Sequence, residues 1–192
     1  MQEVPRRPSI DQIDAEITRR RYTMDFRKAI LTMARVLVVV AAITVLLAML
    51  WLPILRIYGD SMAPTLGDMD VVVSVKTGDL ARGEIIAFYY NNKILVKRVM
   101  AVGGDQVIID DQGAVYVNGE KMEEPYLLEQ GTDKGDLTYP IVVPEGFAFV
   151  LGDNRGVSLD SRYEEIGMVS ADQIVGRVIW QVWPLGEMGS VE

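Results

Sequence analysis

Glu84-Ile85-Ile86-Ala87-Phe88-Tyr89-Tyr90-Asn91-Asn92-Lys93-Ile94-Leu95-Val96-Lys97-Arg98-Val99-Met100-Ala101-Val102 is the stretch that sets the architecture. Two runs rich in β-branched and aromatic residues, Glu84–Tyr90 and Ile94–Val102, flank Tyr90-Asn91-Asn92-Lys93, which reads as a tight turn. Outward from this hairpin the same pattern repeats. Met69–Val75 is rich in valine, and Gln106–Ile109 and Ala114–Val117 enclose the turn residues Asp110-Asp111-Gln112-Gly113. Asn118-Gly119 follows as a hairpin signal of its own. Tyr139–Val143, Phe147–Leu151 and Ile174–Trp183 complete the series. Short strands, frequent turns and no long helical period predict a mainly β fold, a compact all-β domain of sandwich or barrel-like form. The acidic Glu123–Asp136 stretch, with Gly131 and Gly135, reads as an exposed loop.

Upstream of the β text, Val36–Leu55 carries no charge over twenty residues. That is about the helical span of a bilayer's hydrocarbon core. Arg19, Arg20, Arg21, Arg27 and Lys28 precede it, whereas only Arg56 follows before the first acidic residues. The basic flank places the N-terminal side in the cytoplasm and the remainder outside. A cleaved signal peptide has a shorter apolar core and a small-residue exit. Here the run ends in Trp51, Pro53, Ile54 and Leu55, so a retained anchor is expected; a buried core helix is the competing reading. The organisation is thus a polar cytoplasmic tail at 1–28, an N-terminal membrane anchor at 29–55 with its apolar span at 36–55, and an outer β domain at 56–192. Ile10, Ile13 and Ile17 lend the tail a weak helical pattern.

Charge divides along the same line. Up to Arg35, eight Arg and Lys face five Asp and Glu, leaving eleven basic and twenty-two acidic of the chain's 19 and 27 for the rest. An acidic outer domain argues against nucleic acid as a partner, because phosphate recognition needs a basic face. There is no Cys and no His. Disulfides, thiolate nucleophiles, Ser-His-Asp triads and His-ligated zinc are therefore excluded. A carboxylate-held hard metal stays conceivable. A nucleophilic hydroxyl would need another base, and lysine is the remaining candidate.

Three stretches could carry such chemistry. Gly59-Asp60-Ser61-Met62-Ala63-Pro64-Thr65-Leu66 lies just past the apolar run. Gly59 allows unusual backbone angles and Pro64 stiffens the chain after Ser61, so the turn could expose a hydroxyl beside free N–H groups. Read alone, it is equally an ordinary turn. In Ile94–Met100, Leu95, Lys97 and Val99 share one strand face, and Val96 and Arg98 the other. A lysine held among aliphatic neighbours loses preference for its charged form, as a general base requires. Alternatively both cations reach water from a solvated face. Gly152-Asp153-Asn154-Arg155-Gly156-Val157-Ser158-Leu159-Asp160-Ser161-Arg162 is too polar for a core strand. It is either a long solvated loop or a braced one, in which Asp160 pairs with Arg162 and leaves Ser158 to hydrogen-bond a neighbouring amine. If it is extended, Ser158, Asp160 and Arg162 project together.

Taken together, these stretches resemble the motif boxes of the signal peptidase I family (leader peptidases), serine-lysine endopeptidases that release signal peptides. Ser61–Leu66 is similar to the nucleophile box, and Arg82–Phe88 to a structural strand box. Lys97-Arg98-Val99, leading to Gly104-Asp105, is similar to the base box, and Gly152–Arg162 fits the last box nearly residue for residue. The likeness covers Tyr58 to Pro184 and the anchor. It implies a membrane protease in which Ser61 is the nucleophile, Lys97 the general base, Ser158 the group orienting the amine, and Asp160 with Arg162 a brace. By the same resemblance Met62 packs near the bound substrate. No metal or organic cofactor is implied.

The chain departs from the family pattern in two places. Some members carry a serine two positions before the nucleophile to help hold the oxyanion; here that position is Gly59, leaving backbone N–H groups, Ser61's first. Many have a proline before the Gly-Asp of the base box; Val102-Gly103-Gly104-Asp105 lacks it, predicting a looser turn. The segment 120–138 is short, as in a compact version of the fold. The implied partners are signal-peptide-bearing precursor proteins, cut after small residues at the first and third positions before the scissile bond, together with the lipid bilayer. Ser61 lies six residues past Leu55, an extended reach of about 20 Å. A self-cleaving Ser-Lys repressor would need a DNA-binding module, and nothing helix-turn-helix-like is evident. A non-catalytic, membrane-tethered binding domain would keep the fold but need neither Ser61 nor Lys97. No oligomeric state follows from the sequence.

Overall fold

Alternation along Ile85–Tyr90 organises the β domain: Ile85 and Ala87 enter one apolar cluster, Ile86 and Phe88 another. In this computed structural model, which describes residues 9–76 and 78–191, the chain forms two compact units that divide between Ala48 and Met49.

The first unit is helical. Helix α1 runs over Ile10–Trp51, 42 residues, or about 63 Å at the usual rise. Its exposed stretch from Ile13 to Leu47 is long and apolar enough to cross a membrane by length and composition. Val36–Val40 is a β-branched-rich run that water would disfavour as a helix. In hydrocarbon, a helix satisfies every backbone group within one segment, which reverses that preference. The Thr32 and Thr44 hydroxyls donate to the Lys28 and Val40 carbonyls, so neither is left unpaired. The helix stops at Trp51, because Pro53 disfavours helical backbone before it. The isoleucines of the tail belong to the same helix; residues 1–8 lie outside the described residues.

Among its described residues the second unit contains twelve strands: β1 Ile54–Arg56, β2 Val71–Val75, β3 Ile85–Tyr90, β4 Lys93–Val102, β5 Gln106–Ile109, β6 Val115–Val117, β7 Glu120–Lys121, β8 Ile141–Val142, β9 Phe147–Leu151, β10 Val169–Ser170, β11 Ile174–Trp183 and β12 Gly189–Ser190. Eight form one antiparallel sheet in the order β1-β2-β11-β3-β4-β9-β10, with β12 beside β11, and four form a second sheet, β7-β6-β5-β8. The strands read from the sequence are present, some with trimmed ends and β4 starting one residue earlier, at Lys93. Val71 replaces Met69 as a start because Met69 takes φ 71° in the preceding turn. The end of the uncharged run, Ile54-Leu55, is strand β1 rather than helix. Asn91 and Asn92 both sit at positive φ, the conformation that closes a two-residue hairpin.

Three apolar clusters fill the unit. Met100, Val107, Val115, Phe149 and Leu151 lie under the small sheet. Ile57, Met62, Leu66, Val72, Ile85 and Val96 form the second cluster, and Ile86, Phe88, Val99 and Val150 the third. Each such side chain contributes roughly 1.5–3 kcal/mol on burial. The turn Val102–Asp105 is not loose. Asp105 N–H donates to Val102 O at 3.0 Å, and Val102 N–H to the Asp105 carboxylate at 2.9 Å. Glycine is required there, since a Cβ on Gly103 would lie 2.9 Å from Glu145 Cα.

Candidate active site

Where strand β4 gains and loses neighbours determines the place of the site. Along Lys93–Arg98 it pairs with β3, but β9 joins only from Arg98 onward. One edge of Lys93–Lys97 is therefore open. Strand β1, at the end of its sheet, has an open edge as well. Residues of both strands line a cleft of about 740 Å³, whose wall also holds Ser61, Met62 and Lys97.

Ser61 and Lys97, 36 positions apart in sequence, meet: Lys97 Nζ donates to Ser61 Oγ at 2.6 Å. Lys97 is only 2% exposed, so the reading of a solvated cation does not hold. Burial drives its pKa from 10.5 down to about 8; the Asp160 and Asp153 carboxylates pull the other way, and the Arg162 guanidinium helps the fall. An appreciable neutral fraction then exists near neutral pH.

Ser61 is held in its turn from both sides. Met62 is buried in the second apolar cluster, Leu66 N–H donates to Met62 O at 2.9 Å, and Asn154 N–H donates to Ser61 O at 3.0 Å. Gly59 takes φ +84°, and its N–H donates to Asp68 at 2.8 Å. Among the described residues the Ser61 N–H makes no hydrogen bond.

The Gly152–Arg162 stretch is neither solvated nor extended. It folds as consecutive turns with Asp153, Arg155, Ser158, Asp160, Ser161 and Arg162 all buried. Asp160 accepts from Gly152 N–H at 3.0 Å and from Arg162 Nε at 2.8 Å. Arg162 goes on to the carbonyls of Asp133, Arg155 and Ser158. Asp160 and Arg162 are thus paired. The Ser158 Oγ is buried with no hydrogen-bond partner among the described residues, and so makes no bond to Lys97. Gly152 packs between the two serines, for a Cβ there would lie 2.2 Å from Ser158 Oγ and 2.5 Å from Ser61 O.

Sequence reasoning missed a second ion pair. Arg98 Nε and Nη2 grip the two oxygens of Asp153 at 2.9 and 2.7 Å, and the Thr65 hydroxyl donates to the same carboxylate at 2.5 Å. Each of the three motif stretches contributes one partner. The available signal was Arg98 itself, since a cation beside a buried Lys97 on a strand with two covered faces needs an anion. Glu123–Asp136 is a loop with most of its residues exposed, as read from the sequence, but it is tied down at Glu124, Gly131 and Gly135. Glu124 pairs with Arg155 at side-chain exposures of 4% and 2%, and Gly131 and Gly135 press on Arg155 and Arg162.

The sequence profile of the family described as signal peptidase, peptidase S26, matches residues 30–183. Signal peptidase IB of Staphylococcus aureus (strain COL) is 42% identical over 151 residues, covering 68% of this chain and 78% of that protein. Signal peptidase I of Bacillus caldolyticus is 42% identical over 142 residues, covering 66% and 76%. A crystal structure of a signal peptidase I from Enterococcus faecalis V583 superposes with a TM-score of 0.39 at 28% identity, over 52% of this chain and 96% of that one.

Proposed function

The chain belongs to the signal peptidase family, a serine endopeptidase that removes signal peptides, and on that premise we propose that Ser61 is its nucleophile and Lys97 its general base. The contact between Lys97 Nζ and Ser61 Oγ inside a buried site carries this reading. Neutral Lys97 accepts the hydroxyl proton as Ser61 Oγ attacks the scissile carbonyl. The unused Ser61 N–H is the donor available to the oxyanion. Lysine's ammonium then protonates the leaving amine, and the C–N bond breaks to give an acyl-enzyme. Neutral again, Lys97 takes a proton from water as its oxygen attacks the ester, then returns that proton to Ser61 Oγ as the acyl C–O bond breaks and the new carboxyl end is released.

Asp160 and Arg162 act by holding their loop against the site. Ser158, whose buried hydroxyl has no hydrogen-bond partner among the described residues, has the role of orienting the lysine amine. Met62 combines burial beside the nucleophile with a place in the cleft wall. The substrate is an exported precursor lying extended between the open edges of β1 and β4, with main-chain hydrogen bonds to them and small side chains at the first and third positions before the cut. The helix Ile10–Trp51 spans the membrane once, with its basic N-terminal flank in the cytoplasm and the catalytic domain on the outer face.

Cleavage of an exported precursor by the full chain in detergent or lipid tests this, with the cut located by mass spectrometry. Wild type should cut after a small-x-small sequence, and Ser61→Ala and Lys97→Ala should not. A cut that survives in Lys97→Ala removes lysine as the base. No cut by folded wild type across several precursors removes the activity.

A further inference from the structure

A connection between β7 and β8 needs only to span the gap, yet the segment from Glu124 to Asp136 does more. Glu124 accepts from Arg155 Nη2 and from the Tyr126 hydroxyl at 3.0 Å. Arg155 in turn donates to Gly152 O at 3.0 Å. The Tyr126 ring lies under Arg98, whose Cζ is 3.9 Å from the ring centroid, and Arg98 is the residue after Lys97. Farther along, Asp133 O accepts from Arg162 at 2.8 Å, the Tyr163 hydroxyl donates to the Asp133 carboxylate at 2.5 Å, and Asp136 N–H donates to Arg162 O at 3.1 Å. Gly131 and Gly135 let the backbone lie flat here: a Cβ would sit 2.7 Å from Arg155 Cβ and 2.1 Å from Arg162 O. The segment thus grips both the strand bearing Lys97 and the loop bearing Asp153 and Asp160.

We propose that Glu124–Asp136 is a clamp that positions Lys97 from behind, with Glu124 and Tyr126 as its positioning residues; this rests on the reading of Ser61 and Lys97 as the dyad. A buried carboxylate–guanidinium pair adds little stability over apolar packing of the same volume, so what it contributes is a defined arrangement. The guanidinium over a ring face adds a directional contact that excludes water. None of the clamp residues lines the substrate cleft. Its effect therefore falls on kcat and leaves KM alone. The groups facing Lys97 are the Ser61 hydroxyl, the Asp153 and Asp160 carboxylates and the Arg162 guanidinium. Burial is the main cause of its low pKa. Loosening the clamp admits water, restores the ammonium's advantage and moves the acid limb of activity to higher pH.

The test measures kcat and KM against pH for the full chain in detergent, comparing wild type with Tyr126→Leu, Tyr126→Phe and Glu124→Gln. Tyr126→Leu and Glu124→Gln should lower kcat about tenfold, hold KM within about twofold, and shift the acid limb upward. Tyr126→Phe keeps the ring and should keep the wild-type limb. Should Glu124→Gln fail to fold, the two Tyr126 variants decide the matter alone. Folded variants with wild-type kcat and an unmoved limb overturn the clamp. So does activity that falls only in step with the folded fraction, which marks a merely structural segment. A wild-type profile without the limb refutes the dyad instead, so the two failures are separated by which protein lacks it.

Discussion

Replacing Lys97 by methionine should abolish cleavage and strengthen the folded protein. Unfolded, the lysine titrates at its ordinary 10.5; folded, at about 8. The difference of about 2.5 pH units corresponds to about 3 kcal/mol by which the fold disfavours the charged amine. Methionine has a similar length, no charge and a flexible chain that fits the same space. Losing the hydrogen bond to Ser61 costs about 1 kcal/mol, so the variant should be more stable by about 2 kcal/mol at pH 7. Below pH 8 the lysine is charged in both states and the penalty is complete. Between 8 and 10.5 the unfolded chain binds more protons than the folded one, so wild-type stability rises with pH. Above 10.5 the penalty is gone and the order should reverse, by the value of the hydrogen bond. Denaturant unfolding of the full chain in micelles, followed by tryptophan fluorescence at several pH values from 7 to 11, reads this directly. A methionine variant no more stable at pH 7, or a difference that does not change with pH, would refute the account of Lys97 as a buried amine held partly neutral.

Cleavage by wild type should fall about tenfold per pH unit below a midpoint near 8, whereas Lys97→Arg should be inactive throughout because guanidinium cannot be neutral; a flat profile or an active arginine variant would contradict the base. Gly152→Ala drives a methyl into Ser158 Oγ and Ser61 O, so kcat should drop at least about 100-fold with a stability loss of about 1–3 kcal/mol, and near-normal kinetics would show that the two loops can part without consequence. Asp153→Asn leaves Arg98 buried with a weakened partner and should cost about 3–5 kcal/mol; the double variant Arg98→Met, Asp153→Leu should recover part of it in a thermal melt, since removing both charges removes the burial penalty.

Strand positions were legible because they depend on local pattern. The Glu84–Val102 hairpin, with its Asn-Asn turn, contains within nineteen residues the alternation and the backbone preference that close it. The β-sheet character of the second unit and the long apolar N-terminal segment follow from the same local reading, as does the pairing of Asp160 with Arg162, two positions apart. Residue chemistry narrowed the rest: with no His and no Cys, a serine hydroxyl has few bases to draw on, and the resemblance of their stretches to the signal peptidase I boxes singled out Ser61 and Lys97.

Other features exist only in three dimensions. Burial of both Lys97 and Arg98 depends on what covers each face of β4, which no nearest-neighbour pattern encodes. The grip of Arg98 on Asp153, 55 positions away, and of Glu124 on Arg155, 31 away, joins segments that local sequence treats as unrelated. An acidic, glycine-bearing stretch looks solvated because isolated carboxylates prefer water; most of Glu123–Asp136 is indeed exposed, but Glu124 is drawn in because the last motif loop brings Arg155 to meet it. Sequence alone determined which residues could do chemistry and which segments could be strands or span a membrane, since those are properties of side chains and short windows. Tertiary structure decided which charges lost their water and what they met in exchange, because desolvation and ion pairing are set by the whole surrounding fold.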